Sequence, residues 1–245
     1  MVLELKVITQ KMFEEGHMNV NEYMDGLVVL WDKETGYTSH DVVARVRKEI
    51  TLRVGSKIKV GHAGTLDPLA TGLLVLLIGK ATKAQTEYMG MDKEYEVEMI
   101  FGYESDTYDV DGQVTRLDQN DELLNSGNAR DLMEEKIKLF VGEISQTVPI
   151  YSAVKIRGKK LYEYARSGKS IDLPARRVTI SSIGIMEARE VDNPWDEGFV
   201  CKFKMRVKCS SGTYIRSLVH DLGREMGCGA VVCALRRTAI GDYRL

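Results

Sequence analysis

GHAGTLDPLATG (Gly61–Gly72) followed by LLVLLI (Leu73–Ile78) is the stretch on which the fold turns. Six consecutive apolar residues bounded by Gly72 and Gly79 are too short for a buried helix and suit a strand buried on both faces. Just before that strand, Pro68 fixes its own φ and restricts Asp67 to extended or turn conformations, so the Asp67 side chain has little backbone freedom and can be aimed. A carboxylate at the lip of a core strand is a candidate nucleophile. The alternative reading is that Asp67 caps a turn in a Gly-rich loop, as Asp commonly does.

The chain has 245 residues, 44% hydrophobic, enough for one large core or two smaller ones. There is no run of about 18 apolar residues, and the N-terminus lacks the basic-then-apolar pattern of a secretory signal, so a cytoplasmic location without membrane contact is expected. Cys201, Cys209, Cys228 and Cys233 have no zinc-type spacing and read as reduced packing residues. Asp109-Val-Asp111-Gly112 resembles the middle of an EF-hand loop, but Thr107 occupies the first ligand position and no flanking helices are evident, so no metal site is expected.

The net charge of −2 conceals a division: residues 1–143 carry −10 and residues 144–237 carry +8. Lys155, Arg157, Lys159, Lys160, Arg166 and Lys169 lie close together and are interleaved with Tyr162 and Tyr164. Such a mixture suits phosphates and the stacking of unpaired bases. A solvated charged face is the plainer alternative.

Elements are legible along the chain without repeats or low-complexity linkers. Leu27–Trp31 reads as a strand. Ser39 can cap a helix that places Val42, Val43, Val46 and Ile50 on one face. Glu94–Phe101 alternates as a strand, and Leu132, Met133, Ile137 and Phe140 have helical spacing with Gly142 placed to end that helix. From Cys201 to Cys209, apolar residues alternate with Lys202, Lys204, Arg206 and Lys208, which predicts a strand with one wet, basic face. Leu218, Val219, Leu222 and Met226 then mark the apolar face of a helix.

Beyond the opening stretch, GKATK (Gly79–Lys83), KEYEV (Lys93–Val97), DTYDVDG (Asp106–Gly112), YSAVKIRGKKLYEYARSG (Tyr151–Gly168), SSGTYIRSLVHDLG (Ser210–Gly223) and CGAVVCALRR (Cys228–Arg237) follow in order. Together with GHAGTLDPLATG they resemble the TruB family, the tRNA pseudouridine-55 synthases, over roughly Gly26 to the C-terminus. The resemblance implies an α/β fold of the α+β type, the pseudouridine synthase fold, with a twisted, mostly antiparallel sheet flanked by helices. It further implies a catalytic domain over residues 26–245, with residues 143–170 as an insertion that clasps RNA through Lys155, Arg157, Lys159, Lys160 and Arg166.

The reaction so implied breaks a C–N glycosidic bond, rotates the uracil and rejoins it through carbon 5. It needs no cofactor. By resemblance Asp67 is the nucleophile, and since desolvation disfavours an ionised carboxylate, a nearby cation is expected. Arg216 matches the family arginine that pairs with it, and Tyr95 matches the tyrosine that packs on the target base. Tyr214 and Leu235 match residues lining the same pocket, Lys83 a positioning residue, and His62 the histidine where the RNA loop is opened and the uridine flipped out. The implied partner is the T-arm of tRNA, with no obligatory protein partner.

Two departures stand out. Most bacterial members continue into a small C-terminal RNA-binding domain of PUA type, which is not evident here. Glu34 replaces the usual proline, and residues 1–25 read as an N-terminal extension. The alternatives are a pseudouridine synthase acting on another RNA, or a non-catalytic module that binds or folds tRNA.

Overall fold

The apolar run Leu73–Ile78 lies in a strand in which all six side chains are fully buried. The structure, a computed structural model, describes residues 5–117 and 128–245. They form two units, Met1–Tyr95 with Leu235–Leu245, and Glu96–Ala234. Each is mixed α/β with mostly antiparallel strand pairing. Among the described residues no helix is long and apolar enough to cross a membrane.

The first unit contains β1 (Lys6–Thr9), β2 (Leu27–Lys33), β3 (Val60–His62) and β4 (Thr71–Ile78), together with the start of β5 (Lys93–Phe101). Strand β4 is central. It runs antiparallel to β2 from Leu27↔Ile78 to Lys33↔Gly72, and β1 extends the sheet parallel to β2. The other edge of β4 pairs with β3 at its C-terminal end and with Arg236 and Arg237 at its start. Burial of each Leu, Val or Ile of β4 contributes roughly 1.5–3 kcal/mol. Gly72 is required by the close approach of the Arg236–Arg237 backbone, because a Cβ there would lie 2.3 Å from the Arg237 carbonyl oxygen.

Helix Ser39–Val54 packs through Val42, Val43, Val46 and Ile50, the predicted face. Its cap, however, is Thr38, which forms a reciprocal capping box with Asp41. Ser39, the expected cap, is the first helical residue and turns its hydroxyl to Leu66 instead.

Residues 5–25 are packed into this unit. Phe13 is buried at 2% exposure and meets Tyr23 and Trp31 edge-on at 6.3 and 6.1 Å. Arg53 donates to the Phe13 carbonyl at 2.7 Å and to the Tyr23 hydroxyl at 3.3 Å. The short helix Val20–Asp25 comes so close to Gly79, at φ +60°, that a Cβ there would meet the Tyr23 carbonyl oxygen at 2.0 Å.

The second unit holds β6 (Tyr103–Ser105) paired with β7 (Val114–Arg116), β8 (Gly142–Thr147), the short ladder β9 (Lys155–Ile156) and β10 (Lys159–Lys160), β11 (Ala175–Asp192) and β12 (Phe199–Cys209). The remainder of β5, β12, β11 and β8 are neighbours in that order. β13 (Ala230–Ile240) begins in this unit and ends in the first, where it pairs with β14 (Tyr243–Arg244). Along β12 the expected alternation holds, with Cys201, Phe203, Met205, Val207 and Cys209 buried. Its basic face is largely neutralised: Lys202 pairs with Glu98 at 2.6 Å, and Lys204 and Arg206 pair with Glu96 at 3.0 and 2.8 Å. The helix expected through Phe140 stops at Lys136 and tightens into a 3₁₀ turn over Ile137–Phe140, so Gly142 opens β8 rather than capping a helix.

Truncating Phe13 to alanine removes the edge contacts to Trp31 and Tyr23 and should lower unfolding free energy by about 3–5 kcal/mol. Urea denaturation checks this, and a loss under about 1 kcal/mol would mean the N-terminal segment is not packed as described.

Candidate active site

In the first unit the loop between β3 and β4 carries His62 and Asp67. Its path is held by three side chains from outside the loop, which take the carbonyls of alternate residues. Arg237 donates through Nη2 to the Gly64 carbonyl at 3.1 Å and through Nε to the Leu73 carbonyl at 2.8 Å. Ser39 Oγ accepts from the Leu66 amide at 2.8 Å and donates to the Leu66 carbonyl at 3.2 Å. Lys33 donates to the Pro68 carbonyl at 3.3 Å, and also to the Tyr37 and Glu34 carbonyls at 2.7 and 2.9 Å. Lys33, Ser39 and Arg237 are all buried. The Gly36 amide adds a second bond to the Pro68 carbonyl at 2.9 Å, and the Asp67 carbonyl closes a turn to the Ala70 amide at 3.1 Å.

A lysine without solvent loses affinity for its proton, and burial pushes the Lys33 ammonium down; the Asp67 carboxylate opposes that shift, while Arg237 adds to it. Asp67 therefore has the Lys33 cation of its own unit in its electrostatic surroundings. It is half-buried, with its backbone pinned at the carbonyls of its two chain neighbours, Leu66 and Pro68. Burial, reinforced by the Arg237 charge, pushes the His62 imidazole below its ordinary value, against a backbone contact at Gly64. Leu235 is buried in β13 and accepts from Thr71 Oγ1 at 3.5 Å. Tyr95 is buried in β5, and Lys83 is exposed in the 3₁₀ turn Gly79–Ala84.

In the second unit Tyr214 and Arg216 stand at the start of helix Ile215–Glu225. Gln146 clamps the Tyr214 backbone from both sides, donating to its carbonyl and accepting from its amide, each at 2.9 Å. Arg216 is buried and donates to the carbonyls of Thr107 at 2.7 Å and Tyr151 at 2.9 Å. Its Nε lies 3.5 Å from Asp109, whose carboxyl is pushed up by burial and held down by the Thr107 hydroxyl and by Arg216 itself. Within DTYDVDG, Tyr108 adopts φ +65°, a conformation costly for a non-glycine residue, and its ring stacks on His220 at 4.0 Å.

The basic segment forms a tight hairpin. Arg157 and Gly158 turn it with φ +50° and +83°, leaving Lys155, Arg157 and Lys159 exposed. In the helix that follows, Leu161–Arg166, the cations of Lys160 and Arg166 lie 5.3 and 5.4 Å from the Tyr162 ring. Among the described residues there is no group of three or more His, Cys, Asp or Glu placed to hold a metal ion.

Local sequence patterns do not mark Lys33, Ser39 and Arg237 as shaping the loop, or Asp109 as a partner of Arg216. The available signal for Lys33 was a charge at the end of the apolar Leu27–Trp31 strand. For Asp109 it was the dense run of Thr and Asp that suggested a metal loop.

The fold has solved counterparts. The chain aligns with a chain of an H/ACA RNP bound to a substrate RNA containing 2'-deoxyuridine at TM-score 0.61 and 27% identity, covering 93% of this chain and 51% of that one. A chain of a Cbf5-Nop10-Gar1 complex aligns at TM-score 0.59 and 31% identity, covering 89% and 49%. Residues 48–215 match the family model described as TruB family pseudouridylate synthase (N terminal domain), and residues 216–245 match that described as tRNA pseudouridylate synthase B C-terminal domain. The chain belongs to the TruB pseudouridylate synthase family. It is 43% identical over 218 residues to tRNA pseudouridine synthase B of Cupriavidus taiwanensis, covering 89% of this chain and 64% of that one. The Flavobacterium johnsoniae protein of the same name is 41% identical over 230 residues, covering 92% and 93%. The chain thus spans just under two thirds of the length of the Cupriavidus relative.

The His62 shift has a measurable consequence. The folded imidazole binds its proton more weakly than the unfolded one, so unfolding takes up a proton, and stability should fall as pH drops through about 6.5. His220 is shifted in the same direction by burial. NMR titration should place the His62 midpoint below 6.5, and His62→Gln should flatten the pH dependence of stability without abolishing it. A His62 midpoint above 6.5 would contradict the burial described.

Proposed function

We propose that this chain isomerises uridine to pseudouridine in RNA, acting on uridine 55 in the T-loop of tRNA with Asp67 as its nucleophile. The observation that carries the proposal is the loop around Asp67, whose carbonyls at Gly64, Leu66 and Pro68 are pinned by Arg237, Ser39 and Lys33. A carboxylate nucleophile gains rate from being held in attack geometry before substrate arrives, and a pinned backbone supplies that constraint. Relatives at about 40% identity bear the name tRNA pseudouridine synthase B, which supports tRNA as the substrate.

Tyr95 and Arg216 take the roles that family resemblance assigns them, against the target base and in support of the aspartate charge. His62, Lys83, Tyr214 and Leu235 are proposed to bind the substrate. Residues 143–170 are proposed as the RNA-clasping insertion within a catalytic region over 26–245. Exposed Lys155, Arg157 and Lys159 suit phosphates there, and Tyr162, flanked by Lys160 and Arg166, suits a base. No cofactor or protein partner is required by this chemistry, and a cytoplasmic setting fits it.

A second reading, pseudouridine formation in a different RNA, is favoured by the likeness to a chain of an H/ACA RNP bound to a substrate RNA. One assay separates the two. Uridine labelled with tritium at carbon 5 loses that tritium when carbon 5 becomes the glycosidic carbon. Wild-type protein should release tritium from an unmodified tRNA transcript, and should release none from a transcript with cytidine at position 55. Asp67→Asn should abolish release while retaining tRNA binding, because it keeps the shape and removes the charge. Release from the cytidine-55 transcript would move the target elsewhere, and tight binding without any wild-type release would leave a non-catalytic RNA binder.

A further inference from the structure

On the first unit a cleft of about 490 Å³ opens between helix Ser39–Val54, the approach to β3 and the turn after β4. Arg47, Lys57, Lys59, Gly61, Thr82 and Gln85 line it, and no carboxylate does. Elsewhere on this unit several cations have acidic partners: Lys80 with Asp25 at 2.7 Å, the partly buried Arg53 with Glu49 at 2.9 Å and Arg45 with Glu14 at 3.7 Å. No ion pair is present for Arg47, Lys57 or Lys59 among the described residues. The only side-chain hydrogen bond of Arg47 there is one Nη2 donation to the Val60 carbonyl at 3.3 Å.

The spacing of these cations is informative. Over residues 57–60 exposure alternates, with Lys57 and Lys59 exposed and Ile58 and Val60 buried. That alternation puts both lysines on the exposed side of the segment, about 7 Å apart for an extended chain. Neighbouring phosphates of a nucleic-acid strand have a similar spacing. Arg47 adds a planar donor suited to a phosphate, and Thr82 and Gln85 add neutral polar groups. Gln85 Nε2 donates to the His62 carbonyl at 2.8 Å, so one wall of the cleft is tied to the strand that leads into the Asp67 loop.

We propose that this cleft binds consecutive phosphates of an RNA strand, with Lys57 and Lys59 on adjacent phosphates and Arg47 on the oxygens between them. It fixes the register of the strand on the first unit, without reading sequence. The proposal rests on the reading of the chain as an RNA-modifying enzyme.

The test is fluorescence anisotropy of labelled, unmodified tRNA transcript across a salt series, comparing wild type with Lys57→Gln/Lys59→Gln. Two lost phosphate contacts should reduce the slope of log affinity against log salt by about 1.4 to 1.8, and weaken binding about ten-fold or more near physiological salt. A control lacking two exposed lysines outside the cleft, Lys11→Gln/Lys138→Gln, should change the slope far less. An unchanged slope in the cleft variant, or an equal change in the control, would overturn the proposal. Inorganic phosphate at matched ionic strength should not displace the RNA; displacement from wild type alone would assign the cleft to a free anion and overturn the RNA assignment. A wild-type protein that binds no RNA would sink both this proposal and the reading beneath it, whereas wild-type binding with an indifferent cleft variant would sink this proposal alone.

Discussion

Three carbonyls of one loop, those of Gly64, Leu66 and Pro68, are held by side chains that arrive from three different parts of the first unit. Everything proposed for Asp67 depends on that constraint. A loop of this length carries its own conformational entropy, on the order of 1–2 kcal/mol per residue, and Pro68 and Ala70 restrict it only locally. The hydrogen bonds from Arg237, Ser39 and Lys33 restrict it globally, because each donor is itself buried and fixed by packing. Burying two cations is costly unless their donors are satisfied. Lys33 has three carbonyl acceptors and Arg237 has two, and the Asp67 charge favours the Lys33 cation.

The remainder of the first unit serves to place those donors. Lys33 ends β2, whose register against β4 brings it opposite Gly72. Arg237 is delivered by β13, which approaches β4 so closely at Gly72 that no side chain fits there. Ser39 is supplied by the first turn of a helix whose capping is left to Thr38. The aromatic cluster of Phe13, Tyr23 and Trp31 then secures the outer side of β2. In the second unit Arg216 plays an equivalent organising part, joining the Thr107 and Tyr151 carbonyls and the Asp109 carboxylate at one helix start.

Strand β4 was legible from sequence because six consecutive apolar residues leave few other options, and β12 because its alternation is unbroken. The helix beginning at Ser39 was legible from its spacing, but its cap was not: Thr38 and Ser39 are equally good caps by chemistry, and the contact of Ser39 with Leu66, 27 residues away, decides between them. The helix near Met133 is shorter than its apolar spacing predicts, because 3₁₀ and α-helical turns share that spacing over so few residues. The basic face of β12 was visible, whereas its neutralisation by Glu96 and Glu98 depends on strand order, which local patterns do not encode. The same holds for Lys33 and Arg237, whose partners lie 35 and 173 residues away. The roles of Asp67, Tyr95 and Arg216 were read from family resemblance, since an isolated Asp-Pro, a strand tyrosine or a helix-start arginine has ordinary structural uses.

In the proposed function, the pinned loop, rather than Asp67 alone, makes the carboxylate reactive. Ser39→Ala tests it most directly, because it removes the Leu66 clamp and leaves the charges of Lys33, Arg237 and Asp67 in place. The measurement is the single-turnover rate of tritium release from tRNA labelled at carbon 5, taken alongside tRNA affinity. A displacement of about 1 Å at the reacting group costs on the order of 10²-fold in rate, so the expected result is a fall of that size with affinity retained. A folded Ser39→Ala protein that releases tritium at the wild-type rate would contradict the account.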